Sequence, residues 1–397
     1  MTKAGDRWLL PAGVEEILPP RAYLIEQARR SLIDLFDGWG YEFVMPPFIE
    51  YLESLLTGTG PDLDLQTFKL IDQLSGRSLG MRADMTPQVA RIDAHSLGRD
   101  EPVRLCYLGT VLHTRPDGFS GSRSPIQVGA ELYGHAGVES DCEIICLMLE
   151  TLGNSGIHDV HLDIGHMGVF RGLTEHAGFE ADQEAALFDA LQRKARSEIE
   201  DLLRVTGVDS SISKMLLELG ELNGGAEVLE SAATVLGKAP LEVQGSLDRL
   251  KALAAALQGR IGNVSLHVDL AELRGYRYER GVVFAAFVPG HGQEIARGGR
   301  YDGIGEAFGN ARPAIGFSTD LKTLVSLGDR STQIPAKGVF APWAQDPTLY
   351  SKIRALRQGG ERVVTELPGQ SGQADSMNCD RVLVIRDGNW EVESITS

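Results

Sequence analysis

Long apolar runs are missing from this chain of 397 residues: no stretch approaches the roughly 18 uninterrupted apolar residues of a membrane-spanning helix. The expectation is a soluble protein, and because Met1 to Asp6 carry no basic segment followed by an apolar one, a cytoplasmic one with no membrane partner. Cysteine is scarce. Cys106, Cys142, Cys146 and Cys379 form no CxxC pair, and Cys142 and Cys146 stand one helical turn apart with no histidine nearby to complete a zinc site. They read as reduced structural thiols, and no metal and no cofactor are expected. Positive charge is short as well, with 38 Lys and Arg against 55 Asp and Glu, a net charge of -17. Phosphate-rich partners need clustered cations, so the balance weighs against a generic nucleic-acid surface. The familiar catalytic signatures are also absent: no Walker loop, no GxSxG elbow, no HExxH helix and no GxGxxG occur, and the 9 histidines have no ligand spacing.

What is present is length for one large domain and a minor one, with 43% hydrophobic residues to build a core. From Pro20 to Asp37, Leu24, Ala28, Leu32, Leu35 and Phe36 recur at helical spacing, and Gly38 and Gly40 supply the stop. The run Tyr41 to Phe48 alternates as a strand, but its prolines point to a sheet edge or an interface. Strands are expected at Thr67 to Ile71, Leu79 to Arg82, Val103 to Leu108 and Ile126 to Tyr133, as antiparallel neighbours around one site, with a turn-rich loop from Pro116 to Pro125. A buried helix is expected from Asp141 to Leu152. Residues 182–257 turn Ala-, Leu-, Glu- and Arg-rich at helical period, with breaks at Gly207, Gly220, Gly224 and Gly237, which marks a helical insertion. Strands resume at Val264 to Asp269 and Val282 to Val288, followed by a Gly-rich stretch from Arg297 to Asp302. The main domain is expected to end near residue 327. After a polar linker, strand, helix and strand signals in residues 338–397 make a small α/β domain.

Polar residues gather at the expected strand ends: Arg82, Asp84, Thr86, Gln127, Glu131, Arg274, Tyr278 and Tyr301. Alternation puts Gln127, Gly129 and Glu131 on one face of their strand. Carboxylates for an ammonium group, with Arg274 for a carboxylate, are the equipment for holding a small zwitterion. Each residue taken alone reads equally well as a solvated or internally paired side chain.

Several ordered stretches add a resemblance. Gly38-Trp-Gly-Tyr-Glu-Phe-Val-Met-Pro-Pro47, Met81-Arg-Ala-Asp-Met-Thr-Pro-Gln88, Tyr107-Leu-Gly with Gln127-Val-Gly-Ala-Glu131, Arg274-Gly-Tyr-Arg-Tyr-Glu-Arg-Gly-Val-Val-Phe284, Gly298-Gly-Arg-Tyr-Asp302 and Ala314-Ile-Gly-Phe317 stand in the order of the motifs of histidyl-tRNA synthetases. From about Leu10 to Leu327 the chain resembles that family and its non-synthetase relatives. The resemblance implies an α+β fold of the class II aminoacyl-tRNA synthetase kind: an antiparallel sheet flanked by helices, dimerising through the region Gly40 to Tyr51. It also implies a histidine-like pocket made of Asp84, Thr86, Gln127, Glu131, Arg274, Tyr278 and Tyr301. At the imidazole end the chain departs from the pattern, with Arg277 for an aspartate and Glu279 for a tyrosine.

The departures at the ATP site are larger. Where the family has a Phe-Arg-x-Glu core this chain has Leu112, His113, Thr114 and Arg115, and where the family ends Gly-Leu-Glu-Arg it has Asp320, Leu321, Lys322 and Thr323. Adenylation is accelerated by fixed cations aimed at the phosphoryl group, and losing one such arginine costs on the order of 10³ to 10⁵ in rate. A degraded ATP site at His113, Arg115 and Thr323 therefore implies no catalytic residues and no adenylation. The tail is shorter than the family's anticodon-binding domain and holds few basic runs, so no tRNA partner is expected. Within the family this combination resembles the regulatory subunits of ATP phosphoribosyltransferase. It implies a short-form catalytic subunit as partner in a hetero-oligomer, a homodimeric core, histidine as effector and a place at the first step of histidine biosynthesis. The rival readings are an active histidyl-tRNA synthetase and a stand-alone histidine sensor.

Overall fold

The computed structural model describes residues 8–58, 60–116, 122–262, 264–271, 281–309, 311–329 and 337–395. The chain divides into two compact units, Met1–Arg330 and Ser331–Ser397.

The strands of the first unit are β1 (Glu42–Phe43), β2 (Ile49–Tyr51), β3 (Phe68–Ile71), β4 (Ser78–Met81), β5 (Val103–Thr110), β6 (Ile126–Tyr133), β7 (His161–His166), β8 (Asn223–Gly224), β9 (Ser265–Asp269), β10 (Val282–Phe287), β11 (Ala296–Arg300) and β12 (Ala314–Asp320). Nine of them form one sheet in the order β1-β5-β6-β12-β11-β10-β7-β9-β8, while β2, β4 and β3 form a small sheet of their own. The run from β5 to β7 is antiparallel throughout, as expected. The flanks are not: β1 lies parallel to β5 and β7 parallel to β9. Parallel neighbours need a long crossover, and the helical insertion between β7 and β9 supplies one. The expectation of a wholly antiparallel sheet is therefore corrected to a mixed one. The strands β3 and β4 do not join β5 and β6, because the prolines after β1 turn the chain out of the main sheet before β2 starts the small one. As Pro46 and Pro47 suggested, β1 is a sheet edge.

The first helix, Arg21–Gly38, buries Ile25, Ala28, Leu32 and Phe36, a stripe along one face. Leu24 and Leu35, expected on that stripe, sit at its margins. Phe36 meets Phe317 of β12 edge to face, with ring centroids 6.3 Å apart. The helix Val138–Asn154 runs buried beneath the sheet, with Cys142, Ile144, Ile145, Leu147, Met148 and Leu152 in the core. The insertion holds the helices Ala181–Gln192, Arg196–Thr206, Ser210–Leu219, Val228–Val235 and Leu241–Gln258. Gly207 closes the second of these in the left-handed region (φ 67°), where a side chain is strained. One piece of the insertion is not helical: β8 pairs with β9 and extends the main sheet.

In the second unit β13 (Gly338–Ala341), β14 (Val363–Thr365), β15 (Cys379–Arg386) and β16 (Asn389–Ser394) form a sheet in the order β14-β13-β15-β16, covered by the helix Pro347–Gln358. Val339, Ala341, Leu349, Ile353, Val363 and Leu383 make its core. The Asp346 carboxylate caps the helix, accepting from the Thr348 amide at 2.8 Å. The hairpin joining β15 to β16 turns at Asp387-Gly388, both in the left-handed region, as Asp-Gly hairpin turns require.

Candidate functional site

A cavity of about 490 Å³ lies over one face of the main sheet, floored by β6, β10, β11 and β12 and roofed in part by the segment from Ala83 to Pro87. Its deepest polar group is Glu131, in the middle of β6 and only 1% exposed. One carboxylate oxygen accepts from the Tyr107 hydroxyl at 2.9 Å and the Thr86 hydroxyl at 3.1 Å, and the other accepts from the Tyr301 hydroxyl. Burial pushes the Glu131 carboxyl up, to about 8, against the three hydroxyl donors, which favour the carboxylate. The carboxylate has room because Gly316 faces it from β12: a Cβ there would lie 1.5 Å from Oε2. Tyr107 has a similar hole, its hydroxyl lying over Gly129, the residue opposite it across the β5–β6 ladder.

Next to Glu131 a second set of bonds fixes the rim. Gln127 Nε2 donates to Asp84 Oδ1 at 2.7 Å, and the Gln127 side-chain oxygen accepts from the Met85 amide at 2.9 Å. The same Asp84 oxygen accepts from the Thr86 amide at 3.0 Å, an Asx turn that presents both side chains to the cavity. Of the residues singled out in the sequence, Asp84, Thr86, Gln127, Glu131 and Tyr301 thus share one cavity. Arg274 and Tyr278, with Arg277 and Glu279, lie outside the described residues. Arg82 is not part of the lining. Its guanidinium donates to the carbonyls of Thr110 at 2.9 Å and Pro46 at 2.7 Å, because a buried arginine needs acceptors and backbone supplies them here.

The residues at the expected ATP end point elsewhere. His113 is buried, and its Nε2 donates to the Ala83 carbonyl at 2.9 Å. Thr323 donates to Asp320 at 3.0 Å, and Asp320 caps the helix that follows β12 while also accepting from the Ile126 amide. Lys322 pairs with Glu15 at 3.3 Å. Arg115 is exposed. Arg123, the other arginine of that loop, bonds the carbonyls of His113 and Ala12 and lies over the Phe68 ring. No cation among these reaches freely into the cavity. Arg297, which does line it, pairs with Glu294 at 3.2 Å.

A buried ion network holds Tyr301 in place. Arg300, immediately before it, is 2% exposed and donates through Nε to Asp141 Oδ1 at 2.9 Å, through Nη2 to the Ser140 hydroxyl at 2.8 Å and through Nη1 to the His135 carbonyl at 3.1 Å. The other Asp141 oxygen accepts from Arg249 of the insertion at 2.8 Å. Sequence reasoning passed over Tyr107, Gly316 and this network. Tyr107 was legible in principle as a large residue opposite a glycine, whereas nothing local marks Asp141 as the partner of Arg300, 159 residues away in the chain.

Comparison with known proteins extends along the whole chain. Residues 13–324 match the histidyl-tRNA synthetase family model, and residues 336–393 match the family described as ATP phosphoribosyltransferase subunit HisZ C-terminal domain. A protein of Alkalilimnicola ehrlichii named ATP phosphoribosyltransferase regulatory subunit is 60% identical over 96% of this chain and 96% of its own. The chain belongs to the family of ATP phosphoribosyltransferase regulatory subunits. A member from Thioalkalivibrio sulfidiphilus, of the same name, is 59% identical over 98% of this chain and 99% of its own. A crystal structure from Bacillus halodurans, described as an ATP phosphoribosyltransferase regulatory subunit/histidyl-tRNA synthetase, superposes with a TM-score of 0.83 at 26% identity, covering 96% of this chain and 99% of that one. A histidyl-tRNA synthetase from Nostoc sp. shares the fold at 19% identity, with a TM-score of 0.77 over 98% of this chain and 97% of that one. The regulatory-subunit family thus keeps the class II synthetase-like architecture, and here that architecture surrounds a cavity with Glu131 on its floor and, among the described lining residues, Arg297 paired with Glu294.

Proposed function

We propose that this chain completes and regulates a catalytic ATP phosphoribosyltransferase subunit at the first step of histidine biosynthesis, with no chemistry of its own and with histidine as the ligand of the cavity. One observation carries the reading: the described lining of the cavity is rich in carboxylates, and its one Lys or Arg, Arg297, is paired with Glu294. At the floor, Glu131, Asp84 and Gln127 are arranged to receive an ammonium group, with Thr86, Tyr107 and Tyr301 setting the carboxylate's position. At the other end, His113 Nε2, Thr323 and Lys322 are engaged by the protein, while His113 Nδ1 is buried without a partner among the described residues. Such a site suits an amino acid, and among the described residues it lacks the unpaired fixed positive charge that phosphoryl transfer demands.

Arg274 takes the ligand's carboxylate and Tyr278 borders the ring in this reading. The partner is the short-form catalytic chain, the compartment is the cytoplasm, and the boundaries fall at about residues 327 and 338. The core pairs with a second copy through the region Gly40 to Tyr51, where Met45 (74% exposed), Phe48 and Ile49 put apolar surface into solvent. Histidine inhibits only if the less active state of the complex binds it more tightly, since equal affinity for both states shifts nothing.

The test is to purify the full chain and its short catalytic partner and to measure two quantities. Calorimetry should give saturable histidine binding by this chain, and transferase activity should rise on mixing and fall when histidine is added. Robust ATP–pyrophosphate exchange with histidine by the chain alone would overturn the reading in favour of an aminoacyl-tRNA synthetase. Histidine binding without complex formation would favour a stand-alone sensor.

A further inference from the structure

A second cavity, about 720 Å³, opens beside the helix Val138–Asn154, where Trp39, Arg260, Ile261 and Val264 close around Cys146 and Glu150. One turn earlier on the same helix is Cys142, buried, with its sulfur 4.0 Å from the Cys146 sulfur and 3.9 Å from the Ala256 carbonyl. Arg260 lines the cavity with Cys146. The bond between the two sulfurs favours a thiolate on the pair, and the positive charge of Arg260 adds to it against the opposing effect of burial. The two thiols share one thiolate between them, and the bond that Cys142 donates to the Ala256 carbonyl keeps its proton there and leaves the charge to Cys146. Neither of the other cysteines has this setting. Cys106 is buried and its thiol is pushed up to about 12 by that burial, and Cys379 is buried with no second thiol beside it among the described residues.

A thiol needs a thiolate, an approach for the oxidant and a second thiol within reach to be oxidised reversibly. The pair has all three. We propose that Cys142 and Cys146 are a modification site for hydroperoxides, which convert the two thiols to a disulfide within the helix. The thiolate of Cys146, which lines the cavity, attacks the peroxide. A sulfur–oxygen bond forms as the oxygen–oxygen bond breaks, and the departing hydroxide is protonated to water. The second sulfur then displaces the sulfenic oxygen, which leaves as a second water once the remaining thiol proton is transferred. Two thiols lose two electrons and two protons, and one hydrogen peroxide becomes two waters.

Side chains four apart on a helix have Cβ atoms about 5–6 Å apart, whereas a disulfide holds them at roughly 3.8 Å. The turn between Cys142 and Cys146 must therefore tighten, which makes the disulfide strained and readily reduced, as regulatory disulfides are. Its neighbour Asp141 anchors Arg300, and Arg300 precedes Tyr301 on the cavity floor. Oxidation should thus be felt at the ligand cavity, a consequence that rests on the histidine reading of that cavity.

The experiment treats the full-length chain with hydrogen peroxide, then counts free thiols and maps the cysteine peptides by mass spectrometry. The expected result is loss of two thiols and of two hydrogen masses from the peptide holding Cys142 and Cys146, reversed by dithiothreitol, with Cys106 and Cys379 unchanged. Cys142→Ser should instead leave a sulfenic acid on Cys146 that dimedone traps. Retention of all thiols, equal oxidation of Cys106 or Cys379, or irreversible oxidation of Cys146 without a disulfide each overturns the proposal. Histidine affinity, measured before and after oxidation, should fall several-fold. An unchanged affinity overturns the link to the cavity, and absence of histidine binding by the reduced chain is the failure of the functional reading instead.

Discussion

The floor of the main cavity and its far end are built from neighbouring strands and loops of one sheet, yet their polar atoms are used in opposite ways. At the floor, Glu131 is surrounded by three hydroxyl donors and a glycine that leaves its carboxylate clear. At the far end, His113 Nε2, Lys322 and Thr323 are engaged by a backbone carbonyl, a glutamate and an aspartate of the chain itself, and His113 Nδ1 is buried without a partner among the described residues. On the proposed reading, a site has lost a reaction while keeping a ligand. Removing fixed cations destroys transition-state stabilisation without touching the groups that recognise an amino acid.

The sharpest way to break this contrast is Glu131→Ala. Removing the acceptor of a buried charged contact should weaken histidine binding by about a hundredfold or more, measured by calorimetry, while the complex with the catalytic subunit still forms on gel filtration. Undiminished affinity would move the effector to another surface. Gly316→Ala comes next: its Cβ would strike the Glu131 carboxylate, so both histidine affinity and stability should drop, the latter by about 1–3 kcal/mol, read as a lower Tm and a higher Kd. A lost affinity with an unchanged Tm would mean that the carboxylate moves aside freely.

A third prediction follows from the proton on Glu131. Its folded pKa of about 8 lies above the ordinary carboxylate value, so the folded state binds the extra proton. The stability this confers is complete below the unfolded pKa, roughly 4.3, and is lost as pH rises to about 8. Glu131→Gln should flatten that decline in urea titrations across the same range. An ammonium ligand needs the carboxylate, so histidine binding should release a proton at neutral pH and tighten as pH approaches 8, as seen by calorimetry in buffers of different ionisation enthalpy. The smallest effect is expected at the far end. His113→Ala should cost stability by about 1 kcal/mol through the lost bond to Ala83, leave histidine affinity within a few-fold and gain no ATP–pyrophosphate exchange. A large loss of affinity would show that the two ends are not separable.

The sequence alone determined the order of the elements and much of the floor. Periodicity located the helices Arg21–Gly38 and Val138–Asn154 and the five-helix insertion, since burial of one face repeats every three to four residues whatever the partner is. Alternation set Gln127 and Glu131 on one face of β6, and their shared cavity follows from it. A local signal also existed where none was used, since Asp387-Gly388 marks the hairpin to β16, whereas β14, of 3 residues, is too short to signal itself. Other features depend on partners far along the chain. The parallel flanks of the main sheet, the separate sheet of β2, β3 and β4, and the addition of β8 to the sheet edge are choices of neighbour that no local pattern encodes. The same holds for Arg300 with Asp141 and Arg249, and for Gly316 against Glu131. Their energies come from burying charge against charge and from sparing a Cβ at a contact, and both arise only when the folded chain brings distant residues within a few ångströms.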